Sequence, residues 1–253
     1  MIWDCFMFLH EFDLLEIRLR ELEDVVDRFV IVEATETFSG LPKPLYFAEN
    51  RARYARWDER FVHVVVDRFP PGCILFCRDR YQRDACMHGL GDANPADTVL
   101  IGDLDEIPRA DLVSVLGDFK GMVTFMIPLS FYKFNCRALH MDWPGTRAVR
   151  RRDLVRPQAT RETLGDIHLS DAGWHFTYLG DAKFIQEKVR AYSHQEVNSP
   201  AYINTERLQE CIREGRDWGE AGLKFAFVPF DATFPRFVVE NRERYAQYIA
   251  EVP

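Results

Sequence analysis

The chain has 253 residues, 47% of them hydrophobic and 28% charged, which suits one large globular domain with a sizeable core. Its formal net charge of -8 argues against a general nucleic-acid binder or a membrane-surface protein, while leaving room for a local basic pocket that takes a phosphorylated ligand. There is no run of about 18 apolar residues and no basic stretch at the N-terminus, so neither a transmembrane helix nor a signal peptide is expected.

Ile2 to Phe8 is apolar apart from Asp4 and reads as a first strand. Phe12 to Val26 has the helical period, with Leu15, Leu19, Leu22 and Val26 on one face and Glu16, Arg20, Glu23 and Asp27 on the other. Arg28 to Ala34 is a second buried strand, so the chain opens on a βαβ unit that predicts a parallel sheet. A polar loop, Thr35 to Pro44, is broken by Gly40 and two prolines. A short helix at Glu49 to Trp57, a strand at Phe61 to Val66 and a helix at Arg78 to Leu90 follow, the last stopped by Gly89 and Gly91.

Thr98 to Pro108, TVLIGDLDEIP, then runs four apolar or small residues into Asp103, Asp105 and Glu106. This is a buried strand whose carboxylates sit at its C-terminal end, where open α/β sheets place their ligands. Asp-x-Asp there is a hard-oxygen site suited to Mn²⁺ or Mg²⁺ that also holds a phosphate; a charged turn capping the next helix is the plainer alternative.

Past this point the pattern changes. Met122 to Phe134 and Gly145 to Arg151 read as strands of a mixed sheet, and Gly173 to Tyr178 as a short aromatic strand. Helices are expected at Asp181 to Tyr192 and Thr205 to Arg213, and a coil and terminal helix at Phe234 to Ile249. Arg147, Arg150, Arg151, Arg152 and Arg156 form either a solvated basic face or a contact for an anion. Trp143, Trp174, Phe176 and Tyr178 suit either a sugar groove or the core. The six scattered cysteines are expected as free buried thiols; Cys73 and Cys77 have no partner pair that would complete a zinc site. Without a linker or repeat, residues 1–253 read as one α/β domain, with a nucleotide-binding half to about 108 and an acceptor half beyond it.

A metal on Asp103 and Asp105 would offset charge developing on a diphosphate leaving group, which makes nucleotide-sugar transfer a natural candidate. Two other readings keep the same aspartates. One is a metal-dependent phosphohydrolase, whose motif calls for Thr or Val where Ile107 stands; the other is a sugar-binding protein that has lost catalysis.

Six segments carry a specific resemblance: 3–47 (WDCFMFLHEFDLLEIRLRELEDVVDRFVIVEATETFSGLPKPLYF), 81–90 (YQRDACMHGL), 99–108 (VLIGDLDEIP), 173–180 (GWHFTYLG), 191–198 (AYSHQEVN) and 234–245 (FPRFVVENRERY). In this order they resemble glycosyltransferase family 17, the β-1,4-mannosyl-glycoprotein 4-β-N-acetylglucosaminyltransferase family. The resemblance implies a GT-A fold, with a Rossmann-like nucleotide half on a mixed central sheet. It also implies an inverting, metal-dependent transfer from a UDP-sugar, UDP-GlcNAc above all, to a glycan hydroxyl.

Eukaryotic members of that family carry an N-terminal membrane anchor and a stem. This sequence opens directly on the first strand, so a cytoplasmic setting is expected. Combined with the chemistry, the match makes Asp105 the first metal ligand, with Asp103 on metal, ribose or bound water and Glu106 orienting both. His194, in AYSHQEVN after a helix, is the expected third metal ligand. Glu33, Thr35 and Glu36 are placed to meet the nucleotide, although Glu33 could equally cap a loop. Arg83 suits a diphosphate or uridine, with a salt bridge as its alternative, and Lys43 is a further phosphate candidate. Asp171 is the expected base for the acceptor hydroxyl, with His175 next.

Overall fold

The computed structural model describes residues 1–219 and 221–252. Four strands pair in parallel in the order β3-β2-β1-β4: β1 (Ile2–Met7), β2 (Arg28–Ala34), β3 (Phe61–Val66) and β4 (Thr98–Ile101). Helices α1 (Phe12–Leu22), α2 (Tyr46–Asn50) and α3 (Phe76–Asp84) lie in the three connections. Both faces of these strands are covered. Phe29 and Ile31 of β2 join a core with Phe6, Leu15 and Leu19, while Val30, Val32 and Ala34 join a second core with Trp3, Cys5 and Val64. Burial on both faces explains why β2 reads as a continuous apolar run.

After β4 come β5 (Glu106–Pro108), α4 (Ala110–Ser114), β6 (Met122–Phe131), β7 (Cys136–Arg150) and α5 (Pro157–Glu162). Next are β8 (Ile167–Leu169), β9 (Gly173–Thr177), α6 (Ala182–Ala191), α7 (Pro200–Ile203), α8 (Thr205–Glu214) and β10 (Phe225–Phe227). β7 runs antiparallel to β4 and to β6, β9 lies parallel to β6, and β5 closes the order antiparallel to β9. With β8 on β6 and β10 on β7, the result is a mixed ten-stranded α/β sheet. No helix among the described residues is long and apolar enough to cross a membrane.

α6 begins where the Asp181 carboxylate accepts from the Phe184 N–H at 2.8 Å, and it buries Ile185 and Val189. A cap of this kind contributes about 1 kcal/mol. α8 is capped likewise by Asn204 and ends at Gly215, whose φ of 65° suits glycine.

Several expectations need correction. α1 stops at Leu22 rather than Val26, because the chain turns there so that Asp27 can bond Ile2 at the start of the sheet. The expected helix at 78–90 is α3 followed by a tighter 3-10 turn, Ala85–Leu90, and the strand expected at 145–151 is the end of the 15-residue β7. The C-terminal segment forms only a short helix at Arg236–Glu240 and a turn at Ala246–Tyr248. Cys73 and Cys77 are not free: one turn brings their Cα atoms to 5.2 Å and they form a disulfide, whereas Cys5, Cys86, Cys136 and Cys211 are free and buried.

Candidate active site

The loop Gly102 to Asp105 leaves β4 and is held in shape from behind. A side chain at Gly102 would meet Thr146 Oγ1 at 2.5 Å, so only glycine lets β7 approach this closely. Glu106 is fully buried: one carboxylate oxygen accepts from the Asp103 N–H at 3.1 Å, and the other accepts from Trp143 Nε1 at 2.6 Å and from Arg161. Arg18, also fully buried, comes in from α1. Its guanidinium makes two bonds of 2.7 Å to Asp4 and donates to the carbonyls of Asp103 at 3.0 Å, Leu104 at 3.3 Å and Glu106 at 2.7 Å.

So shaped, the loop turns Asp103 and Asp105 into a cleft of about 320 Å³. The walls include Phe8 and Glu11 after β1, Glu36 to Phe38 after β2, and Thr177 and Tyr178 at the end of β9. The cleft therefore opens beyond the carboxyl ends of the parallel strands, where such sheets bind ligands.

Each aspartate already has fixed partners. Asp103 Oδ1 accepts from Arg83 at 2.9 Å, and its Oδ2 lies 3.7 Å from Arg161. Burial pushes its carboxyl up, but Arg83 and then Arg161 outweigh burial and bring it down to about 2. Asp105 Oδ2 accepts from Lys188 Nζ at 3.0 Å, and Oδ1 lies 3.6 Å from His175 Nε2. Burial again opposes ionisation; Lys188 first and His175 second hold the carboxyl well below the usual carboxylate range. Lys188 also pairs with Glu11 at 3.1 Å. Burial works against its charge, but Asp105 and Glu11 outweigh burial and raise the ammonium above the ordinary lysine value.

Of the residues expected at a site, Asp103, Asp105, Lys43, Glu36, Arg83, His175 and His194 line this one cleft. Glu36 does so while paired with Arg78 at 3.1 Å, and Arg83 while bound to Asp103 and Asp79. His194 stands on the wall with Nδ1 at 2.6 Å from Glu196; among the described residues it is Lys188 and His175, not His194, that contact Asp105.

Three residues lie elsewhere. Glu33 is fully buried and accepts from the Phe47 and Ala48 N–H groups at the start of α2, with His63 at 3.0 Å, so it caps a helix. The Thr35 hydroxyl bonds the Asp67 carbonyl. Asp171 sits on a turn outside the cleft with its side chain 68% exposed, held 3.1 Å from Arg109.

Within the aromatic strand β9, alternation divides the residues: Trp174 and Phe176 enter the core, while His175 and Thr177 face the cleft beside Trp143 and Tyr178. The arginine cluster is a solvated face only in part, where Arg152 and Arg156 are exposed. Arg147 and Arg150 are buried and bond backbone carbonyls, and Arg156 pairs with Asp84 at 2.8 Å.

The sequence reading missed Arg18, Arg161, Glu11 and Lys188. Arg18 and Lys188 do carry a signal. Each interrupts the apolar face of a helix, beside Leu15 and Leu22 in α1 and beside Ile185 and Val189 in α6, where a charge needs a buried partner.

Comparison with known proteins matches residues 1–246 to glycosyltransferase family 17. Among curated proteins, the β-1,4-mannosyl-glycoprotein 4-β-N-acetylglucosaminyltransferases of Homo sapiens and Rattus norvegicus are each 36% identical over 151 residues, and that of Mus musculus is 35% identical. The matched stretch is 55% of this chain and 27% of each relative, so the similarity reaches little more than a quarter of those proteins.

Proposed function

The chain belongs to glycosyltransferase family 17, and on that premise we propose that the cleft transfers a sugar from a UDP-sugar to a glycan hydroxyl with inversion, on a GT-A type fold. The donor we propose is UDP-GlcNAc, on the strength of the relatives named as N-acetylglucosaminyltransferases. The observation that carries the reading is the ionised pair Asp103 and Asp105 at the end of β4, facing a cleft walled by the loops after the parallel strands.

The charge of the cleft supports a divalent cation. Its lining holds five carboxylates (Glu11, Glu36, Asp79, Asp103, Asp105) against three side-chain cations (Lys43, Arg83, Lys188), an environment that repels a diphosphate. Among the described residues no group of three or more His, Cys, Asp or Glu side chains forms a protein cage for a metal. Mg²⁺ and Mn²⁺ sites that share substrate phosphates need only one or two carboxylates, so the donor set fits. Asp105 and Asp103 would hold the ion. His194, expected as a third ligand, stands apart from them on the wall, bonded to Glu196 at 2.6 Å. Bound there, the ion would offset charge on the departing diphosphate.

The rest falls to the chain's own groups. Arg83 fixes Asp103 while lining the cleft, which leaves Asp103 to meet ribose or ion. Trp143 and Tyr178 offer ring faces to a sugar. His175, between Asp105 and Trp143, takes the proton of the acceptor hydroxyl. It replaces Asp171 in that role because Asp171 does not line the cleft.

The test is calorimetry of UDP-GlcNAc with and without Mn²⁺, followed by UDP release on glycan acceptors. Mn²⁺-dependent binding that Asp105→Ala abolishes supports the reading. Binding without UDP release on any acceptor would leave a sugar-binding protein. Phosphate released from p-nitrophenyl phosphate with Mg²⁺ and no sugar donor would favour a phosphohydrolase.

A further inference from the structure

The ammonium of Lys188 is set in the wall of the cleft on α6, a helix whose burial and capping fix its position. Its stem passes the Tyr178 ring, with Nζ 5.5 Å from the ring centroid. An ammonium has three N–H donors. Two are used here, at 3.1 Å on Glu11 and 3.0 Å on Asp105; among the described residues no protein acceptor takes the third. Glu11 is itself anchored, since its other carboxylate oxygen accepts from the His10 N–H at 3.1 Å. A charge drawn this far out of water, with a donor unspent in a ligand cleft, is stabilised most by an anion that completes its shell.

Resting on the transfer reading above, we propose that Lys188 binds the diphosphate of the donor directly, and that it moves from Asp105 onto the phosphate when the donor arrives while keeping Glu11 as its anchor. The lysine suits this exchange: it is a compact point charge on a flexible four-carbon stem, free of the fixed geometry an arginine would impose. The exchange also resolves a conflict of charge. A divalent ion on Asp105 repels an ammonium held on the same carboxylate, and the phosphate offers that ammonium another partner within the cleft. Lys188 and the ion thus grip one diphosphate from two sides, and Asp105 is released from the lysine as the donor is bound.

The experiment compares UDP with uridine, both with saturating Mn²⁺, on unaltered protein and on Lys188→Met. Loss of UDP affinity by about 10- to 100-fold is expected, the range for one hydrogen bond to a charged group, with uridine affinity unchanged. Lys188→Arg should recover part of the loss. Equal effects on UDP and uridine, or none on UDP, would show that the lysine only supports the cleft and would overturn the inference.

Unaltered protein supplies a second reading that does not depend on a variant folding. UDP, and not uridine, should shield Lys188 from amine-directed acylation as read by peptide mass spectrometry; labelling that UDP leaves unchanged overturns the inference alone. If unaltered protein binds neither UDP nor UDP-sugars, the transfer reading falls first and this inference with it.

Discussion

Arg18→Met tests how the carboxylate loop is held. The substitution keeps an apolar stem in the core, strands the Asp4 carboxylate at 0% exposure, and removes the donor shared by the carbonyls of Asp103, Leu104 and Glu106. Removing one member of a buried ion pair costs about 3–5 kcal/mol, a large part of the roughly 5–15 kcal/mol that holds a domain folded. For a chain of this size that corresponds to a fall in Tm of about 6–20 °C. Asp4→Leu/Arg18→Met strands no charge, so it should recover much of the stability. It restores no donor to the loop carbonyls, so UDP affinity should stay low in the double variant. Urea unfolding followed by tryptophan fluorescence reads the first quantity, and calorimetry well below the transition reads the second. A cost under about 1 kcal/mol for Arg18→Met would refute the energetic argument. Recovery of UDP affinity in the double variant would refute the claim that Arg18 positions the loop.

His175→Gln should slow transfer by about 10²- to 10⁴-fold with donor binding retained, while Asp171→Asn stays near the unaltered rate; the reverse pattern in steady-state assays returns the base to Asp171. Burial raises the Glu11 carboxyl, but Lys188 and then His10 bring it from 4.5 down to about 2. A depressed carboxyl stabilises the fold fully above its unfolded value and loses that contribution as pH falls through the folded one. About 3 kcal/mol should therefore be lost between pH 4.5 and 2, and Glu11→Gln should flatten this part of a stability-against-pH curve. Reducing Cys73–Cys77, which closes a short loop with a sequence separation of 4, removes about 2 kcal/mol and should lower Tm by about 4–8 °C in calorimetric scans with dithiothreitol. An unchanged Tm would mean that Arg78, bonded to the Cys73 and Thr37 carbonyls, holds this corner without the disulfide.

The parallel half of the sheet was legible because its strands read as largely apolar runs, β2 and β4 being buried on both faces. Asp103 and Asp105 stood out for a related reason: carboxylates that follow such a run directly have no solvated face to occupy. Glu33 shows the limit of that argument. It ends β2 as Asp103 follows β4, yet it caps α2, because the chain after β2 returns a helix N-terminus to its carboxylate. Which loop end receives a ligand and which receives a helix depends on where the chain goes next, and local sequence does not encode that. Alternation along β9 puts His175 on the cleft face, whereas Asp171, two residues before the same strand, stands on an exposed turn with φ of 49°. The Cys73–Cys77 pair was hidden because scattered cysteines without a signal peptide read as free thiols, and only the geometry of one turn brings the sulfurs together.

The cations were the least legible part of the site, and the reason is physical. Arg18 and Lys188 sit where the helical period calls for apolar side chains, so pattern reading passes over them as interruptions. A charge placed there is tolerated only if a carboxylate or carbonyl meets it inside the fold. Arg18 answers to Asp4, and through it β1 sets the backbone of the loop after β4. Lys188 answers to Asp105 and Glu11, and so ties α6 to that loop and to the end of β1. Arg83 and Arg161 do the same for Asp103 from α3 and α5. Three helices distant in sequence, α3, α5 and α6, thus set cations against the two aspartates, which favours their ionised form in a partly buried cleft. On the proposed reading, a cation or phosphate would enter by exchanging partners with these side chains. The affinity of the cleft would then depend on how readily Lys188 and the arginines give up their aspartates as much as on the aspartates themselves.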